Sequence, residues 1–175
     1  CYTSQGAGAA GSSNLGLGHG SPAAAMDGFM EDANTPSLGH RRWMLHPNYG
    51  PAGLGYAGNA TCLQVFSWSN TGDPEFVAWP NQGFTPIEVL PTVWSYSSDS
   101  AYPNSNTQVS ITRLSDQADL QVSTYIPQGG MYMPSAIAFE PDGWSPEAGE
   151  TYEVSLTQLS GDGTVVYQVK PVSCP

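Results

Sequence analysis

From residue 76 onward, the chain is a succession of short segments in which apolar and polar side chains alternate. Successive side chains of a strand point to opposite faces, so this period-two pattern is typical of strands. Turn-forming clusters such as NQG, PQGG, EPDG and SGDG separate the segments. The pattern predicts strands over 76–79, 92–97, 107–113, 119–125, 135–140, 151–158 and 164–170.

The preceding part of the chain is rich in Gly and Ala and contains two helix signals. In the first signal, SPAAAMDGFMED, Ser21 can cap a helix and Pro22 suits its first position. Met26, Phe29 and Met30 then recur at the i, i+3, i+4 spacing of one buried face. This segment predicts a helix with its apolar stripe against a core.

The second helix signal is SLGHRRWML. Ser37 is its candidate N-cap, Trp43 and Met44 stand three and four residues after His40, and Pro47 is a stop. His40 is therefore expected to share a helix face with two large apolar side chains. The later segment CLQVFSW alternates as a strand in a covered sheet does.

Together these patterns predict an α+β chain with two portions. The composition changes near the segment SNTGDPE, so the boundary is expected between residues 73 and 74. About seven short strands in roughly 100 residues favour an immunoglobulin-like or fibronectin-type-III-like β-sandwich over 74–175.

The chain is acidic and sparsely charged. Its 15 Asp and Glu residues outnumber its 4 Lys and Arg residues, for a formal net charge of −11 at pH 7. Nucleic acids and anionic membranes bind clustered basic side chains, so neither is an expected partner. No run of about 18 apolar residues is present, so no transmembrane segment is expected.

The segment GHRRWMLHPNYGPAGLGYA, residues 39–57, resembles the C-terminal half of a bacterial CAP domain. This superfamily contains cysteine-rich secretory proteins, venom antigens and plant pathogenesis-related proteins. SSNLGLG resembles its Gly-Glu-Asn-aliphatic motif, and CLQVFSW resembles the strand that closes its sheet. The resemblance covers about the first 70 residues and implies a partial αβα sandwich over 1–73.

The resemblance also implies a cleft, which in some members holds a divalent metal between two His and two acidic residues. His40 matches the second His, and Glu31 or Asp32 matches the acidic residue of the preceding helix. Ser13 replaces the Glu of the Gly-Glu-Asn motif, and Asn14 retains its Asn. The helix with the first His would lie upstream of this chain, so a separate N-terminal fragment or an incomplete cleft is expected.

The residue types themselves allow two interpretations of this segment. Imidazoles suit zinc or nickel, and His40 with His19 or His46 plus a carboxylate would reach a minimal ligand count. Alternatively, His40 is a histidine packed and hydrogen-bonded in the core. Arg41 or Arg42 either clamps a carboxylate such as Asp27, Glu31 or Asp32 or binds an anionic ligand.

The cysteines and the composition indicate an extracellular product. Cys1 and Cys62 fall in the CAP-like portion and are the preferred disulfide pair. Cys174 is then free, pairs between chains, or pairs with Cys62 instead. Few Lys and many Ser, Thr, Asn and Gly residues favour a secreted or cell-surface setting, where a disulfide persists.

One principal hypothesis and two alternatives follow for the function. We expect a secreted or cell-surface CAP-like protein with a non-enzymatic binding or structural role, whose partner is an extracellular ligand or protein. The first alternative is a divalent-metal hydrolase in which His40 and Asp32 or Glu31 hold zinc and His19 is a base or ligand. The second is a self-associating subunit of an extracellular assembly.

Overall fold

The computed structural model describes residues 3–129 and 133–174. Over these residues the chain is a mixed α+β protein with three α-helices and twelve strands in three sheets. It divides into two compact units, Cys1–Asp73 and Pro74–Pro175. None of the helices in the described part is long and apolar enough to cross a membrane.

The helices all belong to the N-terminal unit and are α1 (Ser4–Ala10), α2 (Pro22–Glu31) and α3 (Gly39–Met44). The predicted start of α2 is confirmed, because the Ser21 hydroxyl accepts the backbone N–H of Ala24 at 3.1 Å.

The predicted cap of α3 is wrong. Ser37 does not cap the helix; Leu38 stands at the N-cap in the left-handed region, with φ 47°, and makes no side-chain cap bond. Leu38 is fully buried, so its packing in the core helps to position the beginning of α3.

A three-stranded antiparallel sheet completes the N-terminal unit. Its strands are β1 (Ser13–Leu17), β2 (Leu54–Ala57) and β3 (Ala60–Gln64), in the order β1-β3-β2. Phe29 of α2 packs with Leu63 and Val65 in a small core, which Met26, Trp43, Met44 and Tyr49 border.

Within its described residues, the C-terminal unit has nine strands in two sheets. They are β4 (Val77–Trp79), β5 (Gly83–Pro86), β6 (Trp94–Ser97), β7 (Gln108–Arg113), β8 (Ala118–Leu120), β9 (Val122–Tyr125), β10 (Ala136–Pro141), β11 (Tyr152–Leu159) and β12 (Gly163–Val172). One sheet has the order β4-β6-β10-β9, and the other has the order β5-β12-β11-β7-β8.

Both sheets of the C-terminal unit contribute to one buried core. Trp94 and Phe139 enter it from the first sheet, and Tyr152, Val154 and Tyr167 enter it from the second. The two sheets therefore face each other across this core.

Two details of the strands differ from the prediction. The segment predicted as one strand over 119–125 is two strands, and the carbonyl of Gln121 between them accepts the indole N–H of Trp144 and the backbone N–H of Asp142. Strand β5 was not predicted. It is short, ends at a proline and pairs in parallel with β12. Its extended conformation therefore follows from pairing with β12 and not from an alternating pattern in its own residues.

Candidate functional site

The site is built where α2 ends and α3 begins. Asp32 caps α2 in the left-handed region, with φ 44°, and its backbone N–H donates to the carbonyl of Gly28. Asp and Asn adopt this conformation more readily than most residues with a Cβ. The turn sends the Asp32 carboxylate back toward the beginning of α3.

His40 and Asp32 form the central contact of the site. Nδ1 of His40 lies 2.8 Å from Oδ1 of Asp32. The Asp32 side chain is 2% exposed, whereas the His40 side chain is 35% exposed. A buried carboxylate therefore orients an imidazole that remains accessible to solvent.

Arg41 reinforces the same junction from inside the unit. Its backbone N–H donates to Oδ2 of Asp32 at 3.2 Å. Its fully buried guanidinium donates from Nε to the carbonyl of Met30 at 2.5 Å and from Nη2 to that of Glu31. A cation at these last carbonyls of α2 also complements the helix dipole.

The second arginine is placed differently. The Arg42 guanidinium donates to the carbonyl of Ser37 at 3.2 Å, and burial lowers the pKa of Arg42 from its ordinary value. The structure thus gives Arg41 and Arg42 different structural contacts, the first at the end of α2 and the second at Ser37, before α3.

The ring of Phe29 contacts the imidazole rings of both histidines of the site. Its ring stacks on His40 with centroids 5.1 Å apart, and His19 meets it edge-on at 6.2 Å. A Cβ on Gly28 would lie 2.5 Å from Cε1 of His19, and one on Gly16 would lie 3.0 Å from Cδ2. The two glycines therefore leave the space that the His19 imidazole fills.

The two residues matched to the Gly-Glu-Asn motif have different roles. Asn14 is buried and donates from Nδ2 to the carbonyl of His40 at 2.9 Å, so it supports the beginning of α3. Ser13 is the next residue along β1, and its hydroxyl donates to the carbonyl of Ala9 in α1. Neighbouring strand residues point to opposite faces, so Ser13 lies on the other side of the sheet from Asn14.

The donor groups at this junction are too few for the metal that the CAP resemblance implies. A structural or catalytic zinc site needs three or more protein ligands. Asp32 is already engaged with His40 and Arg41, and no three His, Cys, Asp or Glu side chains converge anywhere in 3–129 and 133–174. The described residues therefore do not fit the expected metal site.

The remaining candidates lie outside this cluster. His46 accepts the backbone N–H of Asn48 at Nδ1 and packs edge-on against Trp68. Cys62 and Cys174 are not joined to each other by a disulfide. Cys1 lies outside the described residues, so the Cys1–Cys62 pair stays a prediction.

Sequence reasoning missed three residues that shape the site. Phe29 contacts the imidazole rings of both His19 and His40, and Gly28 leaves space for the ring of His19. The hydroxyl of Tyr56 donates to the carbonyl of His19 at 3.0 Å. Gly inside a helix costs about 1 kcal/mol relative to Ala, so Gly28 was an available signal of a close approach.

Comparisons with protein-family models, with curated proteins and with solved structures found no match to this chain.

Proposed function

We propose that this chain is a secreted or cell-surface CAP-like protein that binds an extracellular ligand through His40, without enzymatic activity. The observation that carries the proposal is the His40–Asp32 pair, in which a buried carboxylate orients a partly exposed imidazole. Holding a recognition group in place before binding reduces the entropy cost of association.

The CAP-like interpretation of the N-terminal unit is supported by where the motif residues lie. His40 lies in the first turn of α3, the helix that follows α2, and Tyr56 lies in β2 at the end of the segment 39–57. The helices and the three-stranded sheet agree with a partial αβα sandwich, which is the fold we propose for this unit.

For the C-terminal unit we propose an immunoglobulin-like sandwich. Its two sheet orders correspond to the ABED and GFC arrangement of that fold, with the first strand divided between both sheets as β4 and β5. Tyr152 is the first residue of β11, the equivalent of strand F, and its hydroxyl accepts the backbone N–H of Glu147 at 2.9 Å. This contact has the place and form of a tyrosine corner.

The chemistry of the pair defines what His40 can bind. When Nδ1–H is donated to Asp32, Nε2 carries the lone pair and accepts a hydrogen bond. Among the described residues Nε2 has no hydrogen-bond partner. A ligand with a hydroxyl or amide donor therefore suits this group.

The expected alternative, a divalent-metal hydrolase, would need further ligands, because the Nε2 lone pair of His40 supplies only one. Elemental analysis and Zn²⁺ titration of the whole chain separate this alternative from the binding role, with His40→Ala and Asp32→Asn as test variants. His46→Ala is the matched control, because it removes an imidazole outside the site. We expect no stoichiometric Zn²⁺ that depends on His40; a one-to-one metal lost in His40→Ala but retained in His46→Ala would establish the hydrolase alternative instead.

The binding role itself is tested by screening the chain against neutral hydroxyl-rich and amide-rich small molecules, while the His40 Nε2 resonance is followed by NMR. Binding that shifts this resonance and disappears in His40→Ala is the expected result. Ligands that bind without moving it would contradict the proposed site.

A subunit role in an assembly is favoured by a different observation. Leu15 and Leu17 point to the same face of β1 and are 53% and 78% exposed. Native mass spectrometry decides this alternative, because a monomer at micromolar concentration contradicts self-association through this face.

A further inference from the structure

A second surface of the N-terminal unit consists of aromatic side chains that the His40 site does not use. We define the aromatic platform as Trp43, His46, Phe66 and Trp68. Phe66 and Trp68 are 43% and 45% exposed, although large aromatic side chains usually bury most of their area. Trp43 is half-buried and borders the core around Phe29, so the platform rests on the core of the unit.

The rings of the aromatic platform contact one another. Trp43 meets Phe66 edge-on with centroids 4.7 Å apart and lies 5.6 Å from Trp68. The planes of Phe66 and Trp68 differ by 29°, and their centroids are 6.1 Å apart. His46 packs edge-on against Trp68 at 4.6 Å. Mutual packing fixes the rings, so little side-chain entropy is lost when a ligand covers them.

Backbone contacts hold the two segments of the aromatic platform together. Tyr49 and Trp68 form an isolated antiparallel bridge, and the N–H of Gly50 donates to the carbonyl of Ser67 at 2.7 Å. A Cβ on Gly50 would clash with the hydroxyl of Ser69 and would lie 3.2 Å from its Cβ and its backbone nitrogen, so the close approach of the segments favours glycine there.

The aromatic platform is built from a stretch of the sequence that has no charged side chains, although the protein as a whole is acidic. Residues 43–72 contain no Asp, Glu, Lys or Arg, whereas the whole chain has a net charge of −11. Nucleic acids and other polyanions need basic side chains, and cationic partners need carboxylates. The absence of both types in this segment favours a neutral ligand.

Polar groups in the same segments can recognise hydroxyls. Asn48, Gln64 and Ser69 are exposed, and none of their side chains has a hydrogen-bond partner among the described residues. Amides and hydroxyls both donate and accept, as sugar hydroxyls do. We propose that the aromatic platform binds a neutral polysaccharide, whose sugar C–H faces pack on Phe66 and Trp68 while its hydroxyls bond to these side chains.

The test uses the whole chain in native gels that contain a neutral polysaccharide, with laminarin, hydroxyethylcellulose, dextran and galactomannan as the probes. At least one of them is expected to retard the protein. Trp68→Ala and Phe66→Ala should each weaken the affinity for the polysaccharide about tenfold. Loss of one aromatic side chain that stacks on a nucleic-acid base has an effect of similar size. Trp68→Phe keeps an aromatic face and should retain most of the binding.

Two matched variants serve as controls. Phe84→Ala removes an aromatic side chain that is 72% exposed in the C-terminal unit, and it should leave binding unchanged. His40→Ala should also leave it unchanged, so failure of the His40 proposal and failure of this one are distinguishable. Near-UV circular dichroism of each variant verifies the fold. If Trp68→Ala does not fold, Phe66→Ala and Trp68→Phe test whether the aromatic platform binds the polysaccharide.

Three outcomes overturn the proposal. One is no retardation by any of the four polysaccharides, and another is retardation that survives the folded Trp68→Ala and Phe66→Ala variants. The third is binding to phosphatidylcholine vesicles through the same residues without polysaccharide binding, which would make the aromatic platform a membrane contact.

Discussion

Oδ1 of Asp32 lies 2.8 Å from Nδ1 of His40, and Oδ2 of the same carboxylate accepts the backbone N–H of Arg41 at 3.2 Å. One buried side chain therefore joins the end of α2 to the first turn of α3. Because Asp32 both orients the imidazole and satisfies a buried backbone donor, its removal affects the site and the fold together.

We predict that Asp32→Ala destabilises the N-terminal unit more than Asp32→Asn. Alanine leaves the buried N–H of Arg41 unpaired and disfavours the left-handed backbone, for a loss of about 2–4 kcal/mol in the free energy of unfolding. Asparagine fits the conformation and can still accept one of the two hydrogen bonds. Urea unfolding measures both changes.

Asp27→Ala is the matched control for this pair of variants. Asp27 lies in the same helix and is exposed, so its loss should change the free energy of unfolding by less than about 0.5 kcal/mol. Equal destabilisation by Asp32→Ala and Asp32→Asn would contradict the role assigned to the carboxylate.

A second prediction concerns the buried guanidinium of Arg41. Lysine cannot donate from two fixed positions to the carbonyls of Met30 and Glu31, so Arg41→Lys should cost about 2–4 kcal/mol. The control is Arg42→Lys, at a half-buried position on the same helix, and we expect it to cost less. Thermal and urea unfolding compare the stability of the two variants. If Arg42→Lys were less stable than Arg41→Lys, the structural role given to the Arg41 guanidinium would be wrong.

Much of the fold could be predicted because its strands carry their own pattern. Six of the predicted segments match strands closely. Burial alternates along β11 and β12, whereas consecutive residues of β6 and β10 are buried on both faces. The short strand β5 and the first helix carry no such pattern. Strand β5 exists through pairing with β12, and α1 contains no buried residue, so local residue patterns could not predict either one.

The site was predictable in its residues but not in its geometry. The CAP resemblance implied that His40 and either Asp32 or Glu31 share a cleft, and the side chains of His40 and Asp32 are in contact. The sequence did not reveal that both carboxylate oxygens of Asp32 would form hydrogen bonds with residues of α3. Those bonds depend on the left-handed backbone of Asp32 and on the burial of Leu38. Nor could it reveal that Phe29 would lie between two imidazoles contributed by different segments.

In the C-terminal unit, Tyr152→Phe should lower the free energy of unfolding by about 1–2 kcal/mol. The substitution leaves the ring packing with Trp94 and Trp144 in place, but it removes the acceptor for the backbone N–H of Glu147. Tyr102→Phe removes a phenol hydroxyl that is exposed and has no hydrogen bond to a described residue, so it should have no measurable effect. If Tyr152→Phe and Tyr102→Phe unfold at the same urea concentration, the hydrogen bond between Tyr152 and Glu147 contributes nothing to the free energy of unfolding.

The last prediction concerns Tyr167, whose hydroxyl is buried and has no hydrogen-bond partner among the described residues. Burial, and secondarily the nearby Tyr96, raise the pKa of Tyr167 above its ordinary value. The unfolded chain releases this proton from about pH 10, whereas the folded chain retains it. The unfolded state therefore binds fewer protons, and stability falls as the pH rises above about 10.

Tyr167→Phe should accordingly have two effects. At pH 7 it removes an unpaired buried hydroxyl and should raise the free energy of unfolding by about 1 kcal/mol. Above pH 10 it removes one source of alkaline unfolding, so the gap between variant and wild type should widen with pH. Urea unfolding at pH 7, 9, 10 and 11 measures this gap with Tyr102→Phe as the control, and a gap that stays constant or narrows would show that the Tyr167 hydroxyl is solvated in the folded protein.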